Sequence, residues 1–318
     1  MKAQRIRRIW GAALVAMTLA SLPLPLRAQA AQRAILAARL RDELAAIARE
    51  TPGVMGAEVV DLTSGERFGV NDTLVFPQGS AIKIPLLVEL YAQAEAGRIS
   101  LEERLPVRRA EQVGGSGVVQ GFGDGTSLLS LHDLAILMIV LSDNTATNML
   151  IGRVGMDAVN ARMAALGYPH ILLRRRMIRP EDMALGNENV ATAAEAAALM
   201  GRLARCELPF SAARCRELRS ILEIPKEGPL PQPIPAGVPV AWKPGSVEGV
   251  GTAWGLVGLP GRPYVVVVMV NYSDGAAADA AIRRTSAAAL LYFSRLAGAT
   301  PFGARVSPAL LDRVTPRP

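Results

Sequence analysis

The sequence predicts an α+β protein: a five-stranded antiparallel sheet flanked by helices, plus an all-helical domain inserted between its strands. Three observations carry this prediction. Strand-like patterning is confined to residues 55–70 and 240–270 of the 318-residue chain. Helical periodicity dominates the long stretch between them. Short turn signals, Thr63-Ser64-Gly65-Glu66 and Leu259-Pro260-Gly261-Arg262-Pro263, join successive strands as hairpins, and hairpins impose antiparallel pairing. The expected organisation is a signal peptide at 1–30, a sheet domain from 31–75 and 236–318, and a helical domain from 76–235.

Lys2, Arg5, Arg7 and Arg8 precede an apolar stretch from Ile9 to about Leu22, and Ala28-Gln29-Ala30 offers small residues for cleavage. That is the layout of an export signal. The apolar run is shorter than a bilayer span, and Pro23 and Pro25 interrupt it, which argues against a stable membrane anchor. An amphipathic helix follows at 33–49, with Ile35, Leu36, Leu40, Leu44 and Ile47 on one stripe. Met55 to Leu62 and Arg67 to Val70 form the first hairpin. A helix is expected from Ser80 to Ala96, stopped by Gly97. Ser130 and Asp133 form a capping-box-like pair ahead of an apolar helix to Leu141. Further helices are expected at 143–152, 156–166, 192–205 and 212–222. Lys226 to Pro239, rich in proline and glycine, reads as a linker. Strands return at Val240 to Trp242, Thr252 to Val257 and Tyr264 to Val270, the last a β-branched run suited to burial on both faces. An Ala-rich helix from Ala277 to Leu296 follows.

Half the residues are hydrophobic and one fifth charged, a composition that folds. The net charge of +7 falls to +2 once the five basic side chains of 1–30 are removed, and only 4% of residues are aromatic. Neither feature suits a nucleic-acid partner. Cys206 and Cys215 are the only cysteines, and their spacing leaves a local disulfide and two free thiols both open. With His132 and His170 far apart they form no zinc-ligand pattern, and nothing in the sequence demands a metal or organic cofactor. A monomer is the default expectation.

Three short motifs carry chemistry. In Ser80-Ala81-Ile82-Lys83, at a loop-to-helix transition, residues three apart share a face, so Lys83 can reach the Ser80 hydroxyl. A serine needs such a base to be a nucleophile, and burial or a second cation would favour the neutral lysine. The Ser80 backbone N–H at a helix start can face an oxyanion. Ser142-Asp143-Asn144 follows some sixty residues on. Its serine can relay a proton to a leaving nitrogen, and Asn144 can bond both a substrate amide and Lys83. Lys243-Pro244-Gly245 starts the returning strands. Lys243 can hold a substrate carboxylate and depress the pKa of Lys83; Gly245 permits close approach, and the Ser246 N–H can be a second oxyanion donor. Each motif alone also reads as ordinary capping or turn chemistry.

In order and spacing the three motifs resemble those of class A β-lactamases and related serine hydrolases. Gly115-Ser116-Gly117-Val118, Leu131-His132-Asp133-Leu134 and the stretch from Leu141 to Asn148 look like that family's helical region, and Val240-Ala241-Trp242-Lys243 like its third strand. The resemblance implies a β-lactamase/transpeptidase-like fold in the periplasm or outside the cell. It implies hydrolysis of the β-lactam amide through an acyl-Ser80 intermediate, with Lys83, Ser142, Asn144 and Lys243 in the roles above. Two departures qualify it. Pro244 stands where the family has threonine, whose hydroxyl helps hold the carboxylate; Ser246 is the candidate replacement. The loop from Arg174 to Val190 lacks the family's E-x-x-L-N element, whose Glu positions the hydrolytic water; Glu181 in Arg179-Pro180-Glu181 is the nearest substitute, with Glu188 a poorer one. Without that base the same machinery gives a penicillin-binding-type peptidase or esterase acting on cell-envelope substrates. A non-catalytic envelope binding module is the remaining alternative, disfavoured by the presence of Ser80, Lys83, Ser142, Asn144 and Lys243 together.

Overall fold

The computed structural model describes residues 24–300 and 302–307. The basic and apolar parts of the expected signal, 1–23, lie outside them. The first helix, α1 (Leu24–Glu50), begins earlier than its amphipathic stripe suggests. Leu40, Leu44 and Ile47 are buried as expected, whereas Ile35 is exposed. No described helix is long and apolar enough to cross a membrane.

The five predicted strands form one antiparallel sheet: β1 (Val54–Asp61), β2 (Arg67–Val70) and, much later, β7 (Val240–Val247), β8 (Val250–Val257) and β9 (Tyr264–Asn271), in the order β2-β1-β9-β8-β7. β1 pairs with β9 over its whole length, Val54 with Asn271 through Asp61 with Tyr264, so the first and last strands meet in mid-sheet. One face carries α1 and the final helix, α9 (Gly275–Leu296), around Leu44, Ile47, Trp242, Tyr264 and Phe293. The other face carries the helical region and a larger core. There the chain adds two short ribbons, β3 (Val75–Pro77) with β6 (Val190–Thr192) and β4 (Arg104–Pro106) with β5 (Leu128–Ser130). Its helices are α2 (Lys83–Glu95), α3 (Leu131–Val140), α4 (Asn144–Val154), α5 (Met156–Ala165), α6 (Pro180–Ala184), α7 (Ala193–Arg205) and α8 (Ala212–Glu223).

Capping residues set several of these boundaries. Ser130 and Asp133 make the reciprocal capping box, and Thr192, Ser211 and Asp274 each accept from the first turn of the helix they precede. Cys206, in the left-handed conformation that ends α7, is disulfide-bonded to Cys215 in α8, which decides between the two open readings of the cysteines. The predicted helix at Ser80 differs in kind. Residues Gly79–Ile82 form a 3-10 turn, and the α-helix starts only at Lys83.

Candidate active site

That 3-10 turn suits the Ser80–Lys83 pair better than an α-helix would. With three residues per turn, side chains at i and i+3 eclipse. That period suits Ser80, half-buried on the turn, and Lys83, fully buried just after it. The turn is anchored by Gln78, itself buried, whose side chain accepts from Trp254 Nε1 at 2.9 Å and donates to the Phe76 carbonyl at 2.8 Å. Gly79 takes a left-handed φ of +49°, which a residue with a Cβ rarely adopts.

Lys83 Nζ donates to the Ser142 carbonyl at 2.7 Å and lies 3.1 Å from both the Ser142 hydroxyl and Asn144 Oδ1. Ser142 presents its carbonyl and hydroxyl to the same amine from a left-handed backbone (φ +53°). The expected helix cap of this motif is Asp143, not Ser142. Its carboxylate accepts from Ala146 N (2.8 Å), Val118 N (2.6 Å) and Val119 N (2.8 Å), tying the Gly-rich loop to the start of α4. The Asn144 amide donates to the Gly114 carbonyl at 3.2 Å. Burial drives the Lys83 pKa down to about 7, against the opposing pull of the Asp143 charge. An amine with that proton affinity is available as a base near neutral pH.

The third motif arrives from the sheet. β7 is an edge strand, so Pro244 costs no ladder bond on its outer side. Gly245 packs directly on the Ser80 turn: a Cβ there would lie 2.2 Å from the Gln78 carbonyl oxygen and 2.6 Å from Ala81 N. A Cβ on Gly79 would in turn lie 2.6 Å from the Ser246 backbone nitrogen. The Ser246 backbone is thus brought beside Gly79, the residue before Ser80. Thr252, opposite Gly245 on β8, bonds both the Gln78 and Gly245 carbonyls and locks this junction. Lys243 is 1% exposed and donates to the Pro244 carbonyl at 3.1 Å. Its pKa lies well below the usual lysine value, chiefly from burial, with the charges of Lys83 and Lys226 adding to the effect.

Seven of the eight predicted residues therefore converge: Ser80, Lys83, Ser142, Asn144, Lys243, Gly245 and Ser246. Glu181 does not. Pro180 starts the one-turn helix α6, and Glu181 on its first turn is 71% exposed, 3.5 Å from Arg179 Nε. Glu188 is held by Arg175, Nη2 to Oε1 at 2.6 Å. The loop residue beside Asn144 is Ile178: a Cβ on Gly115 would meet Asn144 Nδ2 at 2.8 Å and Ile178 Cδ1 at 3.3 Å. Spacing alone did not single out Gln78, Asp143 or Thr252. Among the described residues no group of His, Cys, Asp and Glu side chains is placed to hold a metal ion.

The model of the Beta-lactamase enzyme family matches residues 39–293. A β-lactamase of Rhodobacter capsulatus is 30% identical over 154 residues, 48% of this chain and 52% of that protein. β-Lactamase L2 of Stenotrophomonas maltophilia is 32% identical over 154 residues, 46% of this chain and 50% of that protein. The aligned region thus spans about half the length of these curated relatives. Among solved structures, a β-lactamase from Sphaerobacter thermophilus superposes with a TM-score of 0.73 at 34% identity, covering 80% of this chain and 97% of that one. PBP-A superposes equally well, with a TM-score of 0.74 at 27% identity, covering 80% of this chain and 96% of that one. With a family match across most of its length and these neighbours on the same fold, the chain belongs to the Beta-lactamase enzyme family.

Proposed function

We propose that the protein is an exported class A-type serine β-lactamase, periplasmic or secreted, that acts as a monomer through an acyl-Ser80 intermediate. The observation that carries this reading is the buried Lys83 amine, fixed by Ser142 and Asn144 one 3-10 turn after Ser80. Neutral Lys83 takes the Ser80 proton as Oγ attacks the β-lactam carbonyl. The oxyanion is met by the Ser80 and Ser246 N–H groups. As the C–N bond breaks, the proton passes from Lys83 through the Ser142 hydroxyl to the leaving nitrogen. Water then cleaves the acyl ester, releasing the ring-opened acid and restoring the Ser80 hydroxyl.

A solvated Glu181, paired with Arg179, favours a second reading for that last step. Acylation proceeds as above, but release is slow, as in a penicillin-binding-type peptidase or an envelope esterase. The test is turnover of a chromogenic cephalosporin, together with intact-mass detection of the penicilloyl adduct. Wild type is expected to acquire one penicilloyl group and Ser80→Ala none; equal labelling of both would sink the acyl-Ser80 reading. Glu181→Gln is expected to change the adduct's lifetime less than about two-fold, because positioned bases contribute roughly 10²–10⁴ and Glu181 is not so positioned. A tenfold longer lifetime in that variant would restore Glu181 as the base.

A further inference from the structure

We propose that Ile178 is a specificity-determining residue of this site: it forms an apolar wall beside Asn144 that takes up an apolar group on the acyl side of the substrate. The inference rests on the acyl-Ser80 reading for the identity of the substrate. Five non-glycine residues among those described adopt a left-handed φ, and Ile178 (φ +55°) is the one β-branched side chain among them. Such a side chain fits that conformation poorly, and glycine or asparagine would hold the same turn with less strain. Strained backbone persists where its surroundings fix it. Here Asn148 does so: its Oδ1 accepts from Met177 N at 2.8 Å, and its Nδ2 donates to the Met177 carbonyl at 3.1 Å. Asn148 lies four residues after Asn144 on α4, hence on the same face. The loop is thus clamped one helical turn from the residue that bonds Lys83.

The clamp separates the two neighbouring apolar side chains of the loop. Met177 is buried in the helical core, whereas Ile178 is 47% exposed. Exposure at that level leaves little burial to offset the strain of the turn. The Ile178 tip lies at the site. Its Cδ1 and Asn144 Nδ2 both border the space that a Cβ on Gly115 would enter, at 3.3 and 2.8 Å. Gly115, itself left-handed (φ +80°), has no side chain to cover either of them. Asn144 is the residue suited to a substrate amide, so the group attached to that amide passes along Ile178. The charged neighbours in the loop are paired among themselves, Arg179 with Glu181 and Asp182, and Arg175 with Glu188. The wall therefore favours an alkyl or aryl substituent, which leaves water as it covers the isoleucine.

The test compares two penicillins that differ only in that substituent: benzylpenicillin and its 6-acetamido analogue, which keeps the amide and lacks the phenyl ring. For Ile178→Asn the acylation rate constant with benzylpenicillin is expected to fall roughly fivefold, the scale set by burying about half of an isoleucine side chain. The analogue should change less than about two-fold. Ile178→Leu should keep most of the benzylpenicillin rate, since leucine is apolar without the β-branch. Both variants relieve the strained turn, so a purely conformational role predicts that they behave alike. That result overturns the proposal, as do equal losses with both penicillins or no loss with either. Calorimetric titration with benzylpenicilloate requires no acylation. Weaker binding to Ile178→Asn, with Ile178→Leu close to wild type, supports the proposal even if wild type is never acylated, an outcome that would overturn only the acyl-Ser80 reading. Equal binding by wild type and Ile178→Asn, or no binding by any of the three proteins, overturns the proposal itself.

Discussion

At the scale of single residues, the site depends on one amine losing its proton. An exposed lysine is protonated far above neutral pH; burial brings Lys83 down to about 7. Below that value it is an ammonium and cannot accept the Ser80 proton; above it the base is free. The acylation rate of the protein is therefore expected to rise about tenfold per pH unit below 7 and to level off above it. Fluorescent-penicillin labelling between pH 5.5 and 9 reads this directly, and a flat profile would exclude Lys83 as the base. Lys83→Arg, which cannot deprotonate, should lose roughly 10²–10⁴ in rate at every pH. The proposed nucleophile and base are legible because Ser80 and Lys83 are set three residues apart on one turn, and Ser142 and Asn144 because they fall in one short motif. For Glu181 spacing is silent, because it cannot say which way a one-turn helix faces. Asp143 and Gln78 were missed for another reason: each acts through groups supplied by distant segments, the Val118 backbone N–H and the Trp254 indole among their partners.

Among the elements, the decisive contact is between the edge strand β7 and the Ser80 turn. Both segments stand out in the sequence, and Gly245 as a place of close approach, but their contact is a tertiary fact. It depends on β7 lying at the sheet edge and on Thr252 of β8 bonding two carbonyls at once. The 3-10 turn was read as ordinary helix, since period three and period 3.6 cannot be distinguished over four residues. Gly245→Ala tests the contact. Its Cβ would fall 2.2 Å from a backbone oxygen, and backbone on both sides cannot yield cheaply. The strand must move outward, carrying the Ser246 N–H with it. Loss of one oxyanion donor typically costs about 10²–10³ in rate, and the variant is expected to lose acylation on that scale while retaining its far-ultraviolet circular dichroism. Wild-type acylation in Gly245→Ala would mean that the Ser246 N–H is not an oxyanion donor.

At the scale of the whole molecule, the described residues build a five-stranded sheet carrying a core on each face, with the candidate site where the helical side meets the edge strand. Period-two and β-branched patterning revealed the sheet, and its turn signals revealed the pairing of β1 with β2 and of β8 with β9. The pairing of β1 with β9, across some two hundred residues, has no local signal; it follows from closing both terminal helices on one face. That pairing also buries an acid. Glu58, opposite Val267 of β9 and Gly69 of β2, is 1% exposed. Arg67 Nε approaches it at 2.8 Å, and Asp72 shares the space that a side chain on residue 69 would fill. Burial raises the Glu58 pKa to about 7; Arg67 opposes the shift and Asp72 adds to it. Because the folded value exceeds the unfolded one, the protonated carboxyl stabilises the fold fully below about pH 4.3. That contribution is lost as pH rises through 7. Wild-type stability should therefore decline between pH 5 and 7.5, by on the order of 1–2 kcal/mol from this group. Glu58→Gln, neutral throughout, should flatten the decline and melt at higher temperature than wild type at pH 7.5. Melting curves recorded across that range decide the matter: parallel pH dependences for the two proteins would show that Glu58 is ionised in the folded state, its charge fully met by Arg67.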